Sequence, residues 1–344
     1  MKDNMLKSIY IATTPYHVLI SCNRCEMGDY IICAGQYEID GMIEEMIAKT
    51  FGRTNCLIID SFKNYKDNLF KLFFFQINIK HCLNKIRGIH FKRVLIFNDV
   101  DPVVQYCINI INSEKIVLIE EGIGLYRDTV RRNICFFKVL GKFFFGSAYE
   151  NISRIGESGK VAQIECMFPE QLSLKQKMKK INKMSLANYD RLSKLIGITQ
   201  IASDFWFIGQ PVVEDGVLGE DEYINIINRL LSLTEKNIRW IIKPHPREEI
   251  SKYEKIKNRK ILIIENFQVP VELMLNSVGF TKIITLYSSA ILNLKNIQNV
   301  TCISLLHVVC QKLVDYKIEE LFQKNGIIIP DNWDDLKNKL KNDD

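Results

Sequence analysis

Ser8-Ile9-Tyr10-Ile11-Ala12-Thr13-Thr14-Pro15-Tyr16-His17 opens the chain with an apolar run that passes straight into a helix start. Residues 8–12 predict a buried strand. Pro15 after two threonines suits a first helical turn, where a missing N–H costs nothing and a hydroxyl can cap the exposed amides. The same unit recurs through the first half, with strand-like runs at 8–12, 30–34, 56–60, 93–97 and 115–120, each followed by a helical pattern. Pro102, after Asp99–Asp101, repeats the Pro15 signal. Short apolar strands alternating with longer helical stretches are the mark of parallel βαβ units.

From 146 to 198 the pattern turns basic and reads as helical, a region expected to join two domains. A second alternating series then runs 204–208, 238–242, 260–264, 282–285 and 300–304. The reading is α/β: two doubly wound, Rossmann-like domains over residues 1–198 and 199–344, facing each other across a cleft. That arrangement is called GT-B, and other two-domain α/β proteins share it, so the fold alone does not supply an activity.

At 344 residues there is room for two cores, and 47% hydrophobic with 25% charged residues is an ordinary globular balance. No apolar stretch approaches the roughly 20 residues of a membrane span, and residues 1–4 lead directly into a strand with no signal-peptide pattern. The expected location is the cytoplasm. The formal charge of +6 suits anionic partners. Lys175, Lys177, Lys179, Lys180 and Lys183 form a basic block that suits either a solvated face or peripheral contact with an anionic membrane at its inner side. Aromatics interleaved with basic residues are not evident, so no nucleic acid is expected. A homodimer is a further expectation. The ten cysteines lie mostly singly in apolar runs and read as buried thiols. Cys22 and Cys25 have redox-motif spacing, but no second pair accompanies them.

Four motifs carry chemistry. Lys243-Pro244-His245-Pro246-Arg247 follows the apolar run 240–242, and ligands bind at the carboxyl ends of strands in open α/β sheets. Two cations and an imidazole between stiffening prolines suit an anion, and a histidine of ordinary pKa, about 6.5, can donate to a leaving phosphate near neutral pH. Ser288-Ser289 stands where a strand meets a helix, as a phosphate site or a simple cap. Glu120-Glu121-Gly122-Ile123-Gly124 ends the fifth strand and offers a general base or a solvated acidic turn. Gly209-Gln210-Pro211, followed by Glu214 and Asp215, ends the first strand of the second domain. Asp221 and Glu222 read mainly as the acidic first turn of a helix. No Asp-x-Asp element accompanies these carboxylates, so no metal and no cofactor are expected.

Taken in order, the 11–17 opening, the Glu-Glu-Gly element, the Gly-Gln-Pro loop, Lys-Pro-His-Pro-Arg and the Ser-Ser pair span nearly the whole chain. Together they resemble the bacterial sialyltransferases of glycosyltransferase family 52. The resemblance implies CMP-sialic acid as donor, inversion at the anomeric carbon and a surface glycan, lipooligosaccharide or capsule, as acceptor. It implies that His245 assists departure of CMP. Gly209, Gln210, Lys243, Pro244, Pro246, Arg247 and Glu265 would line the nucleotide, and Ser288 and Ser289 would hold its phosphate. For the base, the resemblance favours an Asp shortly before the histidine, Asp215 with Asp221 and Glu222 nearby, whereas related families draw it from Glu121 or Glu120. A transferase using another nucleotide sugar, and a non-catalytic nucleotide-binding protein of polysaccharide assembly, are the alternative readings.

Overall fold

The computed structural model describes residues 7–34, 39, 41–59, 69–127, 141–143, 145–184, 189–198, 201–235, 237–256, 261–264, 269–275, 280–295, 297, 299–309 and 316–341. The chain divides into two compact units, Met1–Ile196 and Gly197–Asp344.

In the first unit seven parallel strands form one sheet in the order β3-β2-β1-β4-β5-β6-β7. They are β1 (Ser8–Ala12), β2 (Tyr30–Ala34), β3 (Cys56–Ile59), β4 (Arg93–Ile96), β5 (Ile116–Ile119), β6 (Val161–Cys166) and β7 (Lys180–Lys183). Helices α1 (Pro15–Arg24), α2 (Gly41–Phe51), α3 (Leu69–Asn84) and α4 (Pro102–Ile110) connect the early strands. Central strands such as Ile116–Ile119 are apolar at every position because helices cover both faces of a parallel sheet. Both expected helix starts form: Thr14 accepts the His17 N–H at 3.2 Å with Pro15 at N1, and Asp101 accepts the Val103 N–H at 2.8 Å ahead of Pro102.

The helical reading of 146–198 needs correcting, because β6 and β7 lie there and extend the first sheet. Strand β6 carries the buried polar residues Gln163 and Glu165, which broke the apolar signal. They are tolerated because Arg24 pairs with Glu165 and Lys115 donates to Gln163 at 3.4 Å. Strand β7, Lys180-Ile181-Asn182-Lys183, is an exposed edge, where lysine discourages pairing with another chain. The basic block is therefore not one helix face. Lys179 turns inward onto the Ser158 and Val161 carbonyls at 2.6 and 2.8 Å, Lys175 pairs with Glu157 at 3.3 Å, and only Leu174–Lys177 is helical before β7.

The second unit repeats the plan with five parallel strands in the order β10-β9-β8-β11-β12. These are β8 (Phe205–Ile208), β9 (Trp240–Lys243), β10 (Ile261–Ile263), β11 (Thr281–Thr285) and β12 (Val300–Ser304). The helix Glu220–Ser232 buries Tyr223, Ile224, Ile227, Leu230 and Leu231 at helical spacing against Phe207, Ile242 and Ile284, and its first turn holds Glu220, Asp221 and Glu222. Leu336 and Leu340 of the helix Trp333–Lys341 close the same core. No helix among the described residues is long and apolar enough to cross a membrane.

Candidate functional site

In the second unit three neighbouring strands, β9, β8 and β11, end in the loops that carry the motifs. The loops are stitched together by polar contacts. Gln210, largely buried, accepts the Tyr287 N–H at 2.7 Å and the Thr285 hydroxyl at 3.2 Å, so it ties the loop after β8 to the loop after β11. Gly209 donates its N–H to the Lys243 carbonyl at 2.9 Å. Arg247 forks onto Asp215 at 2.8 and 3.0 Å, and Glu214 accepts Lys252 at 2.9 Å and the Glu249 N–H at 3.0 Å. Burial alone would raise the Glu214 carboxyl, but these two donors outweigh it and its pKa lies below the ordinary value.

His245 is held from two sides. Its own N–H donates to Glu248 Oε2 at 2.5 Å, and the Arg247 N–H donates to its Nδ1 at 3.1 Å. A backbone N–H can only donate, so Nδ1 is the acceptor and the ring proton sits on Nε2. Burial first, then the charges of Arg247 and Lys243, pull its pKa down to about 4. His245 is thus a neutral donor at pH 7, and the ordinary value expected from sequence does not apply. Lys243 is 3% exposed, with Nζ on the Pro244 carbonyl at 3.0 Å, and burial takes it down to about 8. It stiffens the loop from within, and Arg247 is the cation that the loop exposes.

The hub of this arrangement is a residue the motif reading passed over. Glu248 is buried and accepts Tyr253 at 2.8 Å, Tyr223 at 3.1 Å and Lys252 at 2.8 Å besides the His245 N–H. Burial raises its pKa against those donors. The hub also explains Gly209, where an added Cβ would fall on Glu248 Oε2 and 2.7 Å from the Tyr253 oxygen. Gly209→Ala is expected to lower stability by about 1–3 kcal/mol, since neither neighbour can yield without losing a buried hydrogen bond. Thermal unfolding checks this, and an unshifted midpoint would mean the loop relaxes freely.

Ser288 accepts the Ala290 N–H at 3.3 Å, while Ser289 makes no side-chain cap to the five-residue helix Ala290–Leu294. Both are partly exposed. Pro244 is buried and Pro246 partly exposed. Asp221 is mostly exposed and pairs with Lys255 at 3.1 Å, as a helix-start acid would, and Glu222 is exposed beside it. Glu265 lies outside the described residues.

In the first unit the Glu-Glu pair splits. Glu120 turns inward, accepting the Tyr126 hydroxyl and the Met167 N–H, the latter at 2.5 Å, so it ties the end of β5 to the end of β6. Burial pushes it up to about 7. Glu121 stays partly exposed and meets His17 Nε2 on the first turns of α1. Gly122, at φ 135°, turns the chain where other residues would be strained. His17 belongs to the opening motif, but nothing in the sequence pairs position 17 with position 121.

The matching family model is that of alpha-2,8-polysialyltransferase (POLYST), over residues 58–307. The chain belongs to the alpha-2,8-polysialyltransferase family. Membership makes it a glycosyltransferase of the sialyltransferase class, in agreement with the coarser part of the motif resemblance. Among solved structures it is similar to the alpha/beta-galactoside alpha-2,3-sialyltransferase of Photobacterium phosphoreum, at 12% identity and TM-score 0.53, covering 94% of this chain and 98% of that one. It is also similar to MnaA of S. aureus in a co-structure with UDP, at 11% identity and TM-score 0.56 over 98% of this chain and 87% of that one. UDP-GlcNAc 2-epimerase from Methanocaldococcus jannaschii follows, at 17% identity and TM-score 0.52 over 98% and 90%. These likenesses show the fold, which is GT-B as expected. No curated protein matches the chain. For this polysialyltransferase family member, the His-Pro loop, the Ser-Ser pair and the Glu-Glu-Gly element all fall within the matched span, whereas the opening motif with His17 lies before it.

Proposed function

We propose that this protein transfers sialic acid from CMP-sialic acid to a terminal sugar of a bacterial surface glycan, with inversion and without a metal. The observation that carries the reading is His245, a partly buried neutral donor held on both sides in the loop after β9, in the same unit as the Ser288-Ser289 loop after β11, in a chain of sialyltransferase family. The donor's glycosidic bond breaks with its electron pair passing to the CMP phosphate, and the developing charge is met by His245 Nε2–H, Arg247 and the serine hydroxyls. The acceptor oxygen forms the new bond from the opposite face and yields its proton to a carboxylate. Glu121 is the better supported base. Both Asp215 oxygens are engaged by Arg247, which suits a residue that aims the guanidinium. Membership of family 52 within this class is part of the proposal and rests on the motif resemblance alone. The family's name puts an α-2,8 bond, sialic acid onto sialic acid, first among linkages to assay.

The test is a donor and acceptor screen on the purified protein. Transfer from CMP-sialic acid supports the reading, transfer from a UDP-sugar replaces it with another glycosyltransferase, and binding of CMP without turnover replaces it with a non-catalytic role. Among the described residues no group of three His, Cys, Asp or Glu side chains is placed to hold a metal ion. Turnover is expected to survive EDTA. A loss reversed only by magnesium or manganese would refute metal independence.

A further inference from the structure

Beside Glu121 stands a side chain that is 98% shielded from solvent and takes no part in the proposed bond-making and bond-breaking. His17 is 2% exposed, and its ring stacks on Phe97 with centroids 4.3 Å apart and planes 9° from parallel. Its Nδ1 lies 3.1 Å from the Thr13 N–H and 3.1 Å from the Thr13 hydroxyl, and its Nε2 meets Glu121 Oε2. The three contributing segments follow β1, β4 and β5, which are neighbours in the sheet. The contact is therefore built from the carboxyl ends of adjacent strands, where α/β sheets place their ligand chemistry.

The proton inventory orients this chain of contacts. The Thr13 amide can only donate, so Nδ1 is the acceptor and the ring hydrogen is on Nε2, directed at the carboxylate. We propose that His17 is a positioning residue that holds one oxygen of Glu121 so that the other takes the acceptor's proton. This rests on the reading of Glu121 as the base. The proposal assigns each atom a place: the acceptor O–H bond breaks, its proton passes to Glu121 Oε1, and His17 keeps its own. Glu121 Oε1 lies on the side of Gly124, where even an added Cβ would come no closer than 3.6 Å, so the glycine leaves that oxygen uncrowded. The Glu121 side chain is 22% exposed whereas His17 is sealed beneath it, so a substrate can meet the carboxyl but not the imidazole. Stacking on Phe97 and the Thr13 contact leave the ring little freedom, which is the second support that a base held in a narrow geometry needs.

Two substitutions of similar chemistry and different reach test it. In His17→Gln the side-chain amide extends to about where Nε2 lies and can still donate to Glu121; in His17→Asn it stops at the position of Nδ1. Asn is expected to lower kcat by about 100-fold with KM for CMP-sialic acid unchanged, and Gln to restore all but about tenfold, because small misplacements of a base cost factors of this size. Should Asn not fold by thermal unfolding, His17→Phe, which keeps the stack on Phe97, must show the same loss. In the Glu121→Ala background no His17 substitution should lower kcat further. Equal activities of Asn and Gln, or wild-type turnover in Phe, overturn the positioning role while leaving Glu121 as base. Wild-type turnover in Glu121→Ala alone overturns the base reading instead, so the two failures are distinguishable.

Discussion

His245→Ala is expected to lower turnover by about 100-fold or more while CMP binding survives, because the group removed acts on charge that appears only as the donor bond breaks. The fold should tolerate the change. Glu248 is held by Tyr223, Tyr253 and Lys252 independently of the imidazole, and the bond it accepts from residue 245 comes from the backbone, which alanine keeps. The pH dependence is the sharper part of the prediction. A histidine of ordinary pKa acting as imidazolium would make kcat/KM fall as pH rises through about 6.5. With burial and two cationic neighbours holding the free protein's His245 down to about 4, the ring is already neutral across that range and donates through Nε2–H. No descending limb from this residue should therefore cross pH 6 to 7. Full activity in the alanine variant sinks the assignment, and a limb centred near the ordinary histidine value sinks the neutral-donor form of it.

Glu121→Ala should abolish transfer, by about 100-fold to 10,000-fold, and spare CMP affinity, since the base contributes only once the acceptor attacks. Asp215→Ala should behave differently. Its carboxylate is spent on a two-pronged, half-exposed contact with Arg247, so its loss frees the guanidinium and should raise donor KM more than it lowers kcat. Steady-state kinetics on both variants decide the matter. A dead Asp215→Ala beside an active Glu121→Ala would restore the assignment that the resemblance to family 52 favours, with the base in the second unit.

The fold was legible because burial on both faces of a parallel sheet leaves central strands as apolar runs with no alternation, and ten of the twelve strands among the described residues announce themselves as apolar runs. Strands β6 and β7 did not. Gln163 and Glu165 are buried only because Lys115 and Arg24 reach them, and β7 is an edge whose lysines face solvent, so their place in the sheet depends on pairing rather than composition. The site divides along the same line. Lys243-Pro244-His245-Pro246-Arg247, Ser288-Ser289 and Glu120-Glu121-Gly122 could be picked out from the sequence because prolines, glycines and charges directly after apolar strands are local features, and strand ends are where such residues meet ligands. Which glutamate faces outward could not, nor that Glu248 lies beneath His245, nor that His17 meets Glu121 from 104 positions away in the chain. The sequence by itself determined two doubly wound sheets and the strand-end loops that hold the candidate site residues, since local periodicity and turn residues encode both. Only the tertiary structure decided the protonation of His245, the inward turn of Glu120 and the partners of Glu121 and Asp215, because burial and pairing are set by residues that strand order, not chain order, makes neighbours.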